Sequence, residues 1–224
     1  MQVDGVIVAA GASQRFGGRN KVLELLCGRP VIAWSLRAFG AADSVARVVV
    51  VARQEDHAEL ARIAREHAPG VETALVDGGE RRRDSVEAGL RASISRYVAI
   101  HDGARPLVTA ELIERAIAAA EGHPGAIAAT PVVDTIKEVR DGTIAGHPDR
   151  SRLWAAQTPQ VVLRQAWLDA AAMSDNDETD DAAMLDRVGL GCVVVASTEP
   201  NLKITRPLDI AIAEAILQAR ERHG

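Results

Sequence analysis

The residues best placed to do chemistry lie near the N-terminus. There an apolar run, Val6-Ile7-Val8-Ala9-Ala10, gives way to Gly11-Ala12-Ser13-Gln14-Arg15-Phe16-Gly17-Gly18-Arg19-Asn20-Lys21. Small residues let backbone N–H groups come close to anionic oxygens, and Arg15 and Lys21 can bring full positive charge to the same place. That is the chemistry of phosphate binding, although the same letters suit an ordinary strand-to-helix turn with solvated cations. Two common phosphate loops do not fit. The three-glycine dinucleotide fingerprint needs a third glycine where a helix opens, and here the turn runs on through Ser13, Gln14 and Arg15. The GxxxxGK[ST] loop needs a hydroxyl residue after its lysine, and Lys21 is followed by Val22.

A carboxylate stands in a second informative segment, Tyr97-Val98-Ala99-Ile100-His101-Asp102-Gly103-Ala104-Arg105-Pro106. Asp102 comes just past a buried apolar run. It could hold Mg²⁺, because that ion takes one or two carboxylates, substrate phosphates and several waters. It could equally cap a helix beyond Pro106. Asp180-Asp181, following Thr179, reads as a helix cap.

The elements that must position these groups are read from hydrophobic spacing. Short β-branched runs recur at 45–51, 71–76, 97–100, 127–133 and 192–196. Between them, 55–67 places Leu60, Ile63 and Ala64 on one helical face, 82–94 places Val86, Leu90 and Ile94 likewise, and 110–121 is alanine-rich. Continuously apolar strands alternating with helices imply a parallel sheet covered on both faces: a doubly wound α/β fold whose ligands sit at the carboxyl ends of the strands. One segment breaks the alternation. Residues 134–140 and 143–145 flank Asp141-Gly142, which supplies the positive φ angles of a tight primed turn and so predicts a hairpin. So polar a ribbon is marginal alone and is expected to pack against its own domain or a second subunit.

Bulk properties set the outer bounds. The 224 residues, 47% hydrophobic and 25% charged, suit one main domain, 1–224, with 134–150 as a protruding arm. With 26 basic against 31 acidic residues, net −5, no global positive field draws nucleic acid or acidic lipid, so a polyanionic ligand must be held by local clusters. Cys27 and Cys192 show no metal-ligand spacing and are expected as buried reduced thiols. The first residues carry no basic leader, and the apolar run behind them is too short for a signal core or membrane span, so a cytoplasmic, soluble chain is expected.

Five segments in order carry a family resemblance: Ala9-Ala10-Gly11 with Arg15 and Lys21; Asp77 to Val86, with Gly78-Gly79 and Ser85; His101 to Pro106; Pro131 to Lys137; and Asn201-Leu202-Lys203-Ile204-Thr205-Arg206-Pro207. Together they resemble the 2-C-methyl-D-erythritol 4-phosphate cytidylyltransferase family from about Val6 to about Ala213. The resemblance implies a Rossmann-like nucleotidyltransferase fold and a reaction of CTP with methylerythritol phosphate that releases pyrophosphate. It makes Arg15 and Lys21 the pair that stabilises the transition state. Ala10, Gly11, Ala12, Gly79, Ser85, Asp102 and Gly103 would hold the nucleotide, and Asp102 would anchor Mg²⁺ or another divalent cation. Arg105, Thr135, Arg150, Thr179 and Lys203 would hold the second substrate, with Thr135 and Arg150 delivered across a homodimer by the hairpin arm. Two departures stand out: Asn20, where the family commonly has proline, and Pro200, where an acid commonly precedes the asparagine of the last motif. A ribitol-5-phosphate cytidylyltransferase shares the nucleotide loops, and a non-catalytic nucleotide-binding protein could keep the scaffold. The joint presence of Arg15, Lys21 and Asp102 favours an enzyme.

Overall fold

The computed structural model describes residues 1–11, 16, 20–173, 178–198 and 200–223. In chain order the sheet strands are β1 (Val3–Val8), β4 (Val45–Ala52), β5 (Glu72–Asp77), β6 (Tyr97–Asp102), β7 (Gly125–Pro131), β10 (Trp154–Leu163) and β11 (Val193–Ala196). Two short ribbons stand apart, β2 (Leu25–Leu26) with β3 (Arg29–Pro30), and β8 (Glu138–Arg140) with β9 (Thr143–Gly146). The helices are α1 (Val31–Gly40), α2 (His57–His67), α3 (Arg82–Ala92), α4 (Ala110–Ala120), α5 (Arg164–Ala172), α6 (Asp181–Asp186) and α7 (Leu208–His223).

Among the described residues, seven strands form one sheet in the order β11-β7-β10-β6-β1-β4-β5. The order records the winding. From β1 the chain moves outward through β4 and β5, then returns to lay β6 on the other side of β1, so strand order reverses between β1 and β6. Parallel pairing sets Val8 beside both Val51 and Asp102, and Ala52 beside Asp77, so the carboxyl ends of four strands share one edge. A crevice outside that edge, at the reversal, is where ligands bind in such sheets.

Side chains alternate across the strands to build two cores. Ile7, Val48 and Val50 pack with Leu36, Ile63 and Ile113 of α1, α2 and α4 on one face. Val6, Val49, Val51, Val98 and Ile100 pack with Val86, Leu90, Trp167 and Leu185 of α3, α5 and α6 on the other. Burial on both faces explains why these strands read as unbroken apolar runs. A third cluster packs Phe16, Leu26, Val31 and Leu107 against Leu217 of α7.

The doubly wound sheet expected from the sequence is therefore present, with three differences. First, β10 runs antiparallel between β6 and β7 and has no counterpart in the apolar runs, because its middle contains Gln157, Thr158 and Pro159; pairing with β7 skips from Ala156 to Gln160. Second, the hairpin turns at Asp141 (φ 50°) and Gly142 (φ 77°) as expected, but its first strand is only Glu138–Arg140. Third, Cys27 is exposed, contrary to expectation. It occupies the turn between β2 and β3, at φ 48°, where its side chain has no core to enter.

The α3 helix comes close to the sheet through Gly89. A Cβ there would lie 2.4 Å from Val6 Cγ1 and 2.9 Å from Val51 Cγ2. Alanine favours helix by up to about 1 kcal/mol, but overpacking a filled core costs about 1–3 kcal/mol. Gly89→Ala should therefore lower unfolding free energy in urea titrations, and a stabilised variant would refute the close packing.

Candidate active site

The sheet edge carries two adjoining cavities. The larger, 410 Å³, opens between the end of β1, the turn 78–81 and the first turn of α3, and is lined by Ala10, Gly11, Lys21, Arg53, Gly79, Arg81, Arg82, Ser85, Asp102 and Lys203. The smaller, 200 Å³, lies on the β10 side and is lined by Arg82, Asp102, Arg105, Gln157, Thr158, Thr179, Asp180 and Lys203. Arg82, Asp102 and Lys203 belong to both and form the partition between them.

Asp102 is the last residue of β6 and 7% exposed. One carboxylate oxygen accepts from Lys203 Nζ at 2.7 Å and lies 3.6 Å from Arg105 Nε, and the other accepts from Arg82 Nε at 3.2 Å. Burial alone would push this carboxyl up, but Arg82, Lys203 and Arg105 outweigh it and hold the group well below the usual carboxylate range. Arg82 in turn bonds through Nη2 to Asp181 Oδ2 at 2.8 Å, an acid that is 1% exposed. Burial lowers the Arg82 guanidinium's affinity for its proton, yet Asp181 and Asp102 more than reverse this, and the guanidinium stays charged.

A buried polar chain fixes the backbone under Asp102. Its N–H donates to Thr158 Oγ1 (3.1 Å), and that hydroxyl lies 2.9 Å from His101 Nδ1. His101 Nε2 lies 3.1 Å from the Arg105 carbonyl. With Thr158 accepting from the Asp102 N–H and donating to Nδ1, the ring proton belongs on Nε2, where it meets the carbonyl. The histidine is neutral, and burial pushes its pKa down to about 4. Lys203 arrives because residues 201–204 dock on the same loop: Asn201 Nδ2 donates to the Thr158 carbonyl at 2.7 Å, Arg105 Nη1 to the Asn201 carbonyl at 2.8 Å, and the Ile204 N–H to the Ala104 carbonyl at 2.8 Å.

On the other wall, the Ser85 hydroxyl accepts from the Gly79 N–H at 3.1 Å and so braces the glycine turn. A Cβ on Gly78 would lie 2.2 Å from the Ala10 Cβ, so the two glycine-bearing loops touch only because that side chain is absent.

Most of the residues singled out from the sequence converge here. Ala10, Gly11, Lys21, Gly79, Ser85 and Asp102 line the larger cavity, and Arg105, Thr179 and Lys203 the smaller. Arg15 and Ala12 lie outside the described residues. Gly103 lies beneath the wall, its N–H bonded to the Val8 carbonyl at 2.9 Å. Thr135 and Arg150 are exposed on the arm and line neither cavity; Arg150 donates to the Val133 carbonyl. Asp102 does not cap α4, a role taken by Thr109. Asp180 does cap α6, accepting from the Ala183 N–H at 2.9 Å, whereas Asp181 belongs to Arg82. Arg82, Asp181, His101 and Thr158 were not singled out as site residues. The available hint was a histidine beside Asp102 in an otherwise apolar strand.

Fold and site together define a nucleotidyltransferase: a doubly wound sheet whose reversal point carries a glycine-walled, cation-lined cavity joined to a second basic cavity. The family model for IspD, 2-C-methyl-D-erythritol 4-phosphate cytidylyltransferase, matches residues 3–219, and the chain belongs to that family. The enzyme of that name from Synechococcus elongatus is 43% identical over 223 residues, covering 96% of each chain. The crystal structure of 4-diphosphocytidyl-2C-methyl-D-erythritol synthase from Anaerococcus prevotii superposes with a TM-score of 0.85 at 27% identity, covering 97% of this chain and 96% of the other. The 2-C-methyl-D-erythritol 4-phosphate cytidylyltransferase from Thermus thermophilus superposes at 0.78 with 28% identity, covering 97% and 100%.

The buried ring yields a pH dependence with a definite sign. Between the ordinary histidine value of 6.5 and about 4, the unfolded ring binds a proton that the folded ring refuses. Stability is therefore full above 6.5 and falls with acidification across that window, by at most about 1.4 kcal/mol per pH unit. Denaturant midpoints measured from pH 7 to 5 should fall more steeply for the unmodified chain than for His101→Gln; equal slopes would contradict the assignment.

Proposed function

We propose that this chain transfers the cytidylyl group of CTP to 2-C-methyl-D-erythritol 4-phosphate, releasing pyrophosphate, in a mevalonate-independent route to isoprenoids. The observation that carries the reading is the shared partition of the two cavities, where Lys203 and Arg82 can face a phosphate on either side of Asp102.

In this reading the nucleotide occupies the larger cavity, its base against Ala10, Gly79 and Ser85, and the acceptor phosphate lies in the smaller one beside Arg105, Thr179 and Lys203. An acceptor phosphate oxygen attacks the α-phosphorus of CTP, a new P–O bond forms, and the bond to pyrophosphate breaks in line. The chain's task is positioning and charge compensation, since two anionic groups must meet. Lys21 brings an ammonium to the triphosphate as negative charge grows on the leaving oxygens. Arg15 is assigned the same task by motif. Arg105, held by the Asn201 carbonyl, and Lys203, held by Asp102, keep the acceptor phosphate from drifting away from the nucleotide.

A divalent cation fits one part of this donor set. Asp102 is ionised and at the junction, but among the described residues no group of three His, Cys, Asp or Glu could hold a metal. Asp102 would thus be the protein's carboxylate ligand, with phosphate oxygens and water completing the shell. When bound, the ion would supply charge neutralisation between the two substrates.

The chain is further read as one catalytic domain with 134–150 as an arm that embraces a second copy. The support is apolar surface on and beside the arm: Val133 is 82% exposed, Val139 63%, Ile144 56% and Trp154 43%. Docking of the arm would carry Thr135 and Arg150 to the partner's acceptor cavity. No described helix is long and apolar enough to cross a membrane, which suits an enzyme working in the cytoplasm on small soluble phosphates.

The test is pyrophosphate release from CTP and a divalent cation with each acceptor. Turnover with methylerythritol phosphate should exceed that with ribitol 5-phosphate, and Lys21→Ala should lower kcat by roughly 10²–10³, as removal of a transition-state donor does elsewhere. Faster use of ribitol phosphate would overturn the acceptor, and full activity in Lys21→Ala would overturn the mechanism.

A further inference from the structure

The turn that presents Lys21 is tied to a buried carboxylate with no part in the chemistry described so far. Asp56 is 8% exposed and is the last residue of a single 3-10 turn, Gln54–Asp56, that leads straight into α2. Here it makes no side-chain cap bond. Its Oδ2 instead accepts from Asn20 Nδ2 at 2.7 Å, across 36 residues of sequence, and from Arg53 Nε at 3.0 Å. A buried carboxylate left without partners costs more than the net worth of the bonds it makes, so Asp56 depends on Asn20 and Arg53 for its place.

Asn20 is well made for the receiving end. Its backbone carbonyl accepts from the Leu23 N–H at 3.0 Å and its side-chain oxygen lies 3.4 Å from the Val22 N–H, so the residue closes the turn holding Lys21 while its amide points to Asp56. Val22 is in turn fixed by the Ile32 N–H, which donates to its carbonyl at 3.0 Å. Lys21 therefore sits between a residue pinned to α1 and one pinned to the start of α2. A proline at position 20 would stiffen the turn through its ring; asparagine has no such ring and needs an external partner.

We propose that Asp56 and Asn20 are positioning residues that hold Lys21 on the wall of the nucleotide cavity, the Asn20–Asp56 hydrogen bond standing in for backbone rigidity. The inference rests on the cytidylyl-transfer reading for its kinetic consequence and on the fold alone for the placement of Lys21. Asp56 also neutralises Arg53, which lines the same cavity and pairs with Glu55 at 2.8 Å, so its carboxylate organises two cationic side chains at one rim.

The test is a double-mutant cycle between Asn20 and Lys21, read in two ways. With Lys21 present, Asn20→Ala should lower kcat roughly tenfold, the scale expected when a hydrogen bond orienting a charged group is lost, and leave KM for the acceptor unchanged. In the Lys21→Ala background the same substitution should cost less than twofold, because nothing remains to be positioned. CTP affinity by calorimetry should follow the same pattern and needs no acceptor, so it reports on Lys21 placement even if the acceptor is misassigned; turnover of the unmodified chain reports on the acceptor separately. Asp56→Ala, which removes the acceptor that Asn20 uses and also releases Arg53, should lower kcat at least as far as Asn20→Ala with circular dichroism unchanged. Equal-fold losses in both backgrounds, or an Asn20→Ala variant within twofold of the unmodified chain in kcat and affinity, would overturn the proposal.

Discussion

Everything at the sheet edge depends on one buried anion. Asp102 could not keep its charge at the end of a buried strand without compensation, and it gathers that compensation from Arg105 on its own loop and from two segments elsewhere in the sequence: Arg82 on α3 and Lys203 from the segment after β11. Arg82 and Lys203 keep about a third of their side chains in solvent, so losing one leaves the carboxylate less compensated rather than bare, yet it still ties the placement of those cations to the stability of the fold. Stability and ligand binding thus share an electrostatic centre. The same carboxylate that holds the cations in register stands between the two cavities of the sheet edge.

The scaffold beneath is arranged to keep that centre from moving. Neutral His101, Thr158 and Asn201 join β6, β10 and the 201–204 segment by hydrogen bonds with definite donors and acceptors. Beyond Arg82 stands Asp181, itself bonded to Trp167 Nε1 at 3.3 Å and placed by the Gln160 side chain, which accepts from the Asp181 N–H at 2.9 Å. A buried network directed in this way favours one geometry over near alternatives, as precise phosphate alignment requires.

How much of this was legible in the letters follows from range. Glycines, a lysine and an aspartate at strand ends announce themselves locally, so Gly11, Lys21 and Asp102 were readable, as was the Asp141-Gly142 turn, whereas Gly79 and Ser85 came only through the family resemblance. Long-range contacts were not: 101 residues separate Lys203 from Asp102, and nothing near the lysine names its partner. Arg81, Arg82 and Arg83 make the point within one turn of α3. Successive helical residues point about 100° apart, so Arg81 pairs with Asp84, Arg82 bridges Asp102 and Asp181, and Arg83 turns inward to the Ala171 carbonyl. The antiparallel β10 was hidden by Gln157 and Pro159, polar and ring-bearing residues that break a strand signal, yet beside which Thr158 reaches the site.

In the proposed reaction the charge of Asp102, rather than its shape, organises both substrates. Asp102→Asn keeps the side chain's size and removes the charge, so steady-state pyrophosphate release from CTP and methylerythritol phosphate, measured on a variant shown to be folded, tests it directly. Turnover should fall by roughly 10²–10³, on the scale of losing a principal electrostatic group. Turnover within a few fold of the unmodified chain would contradict it.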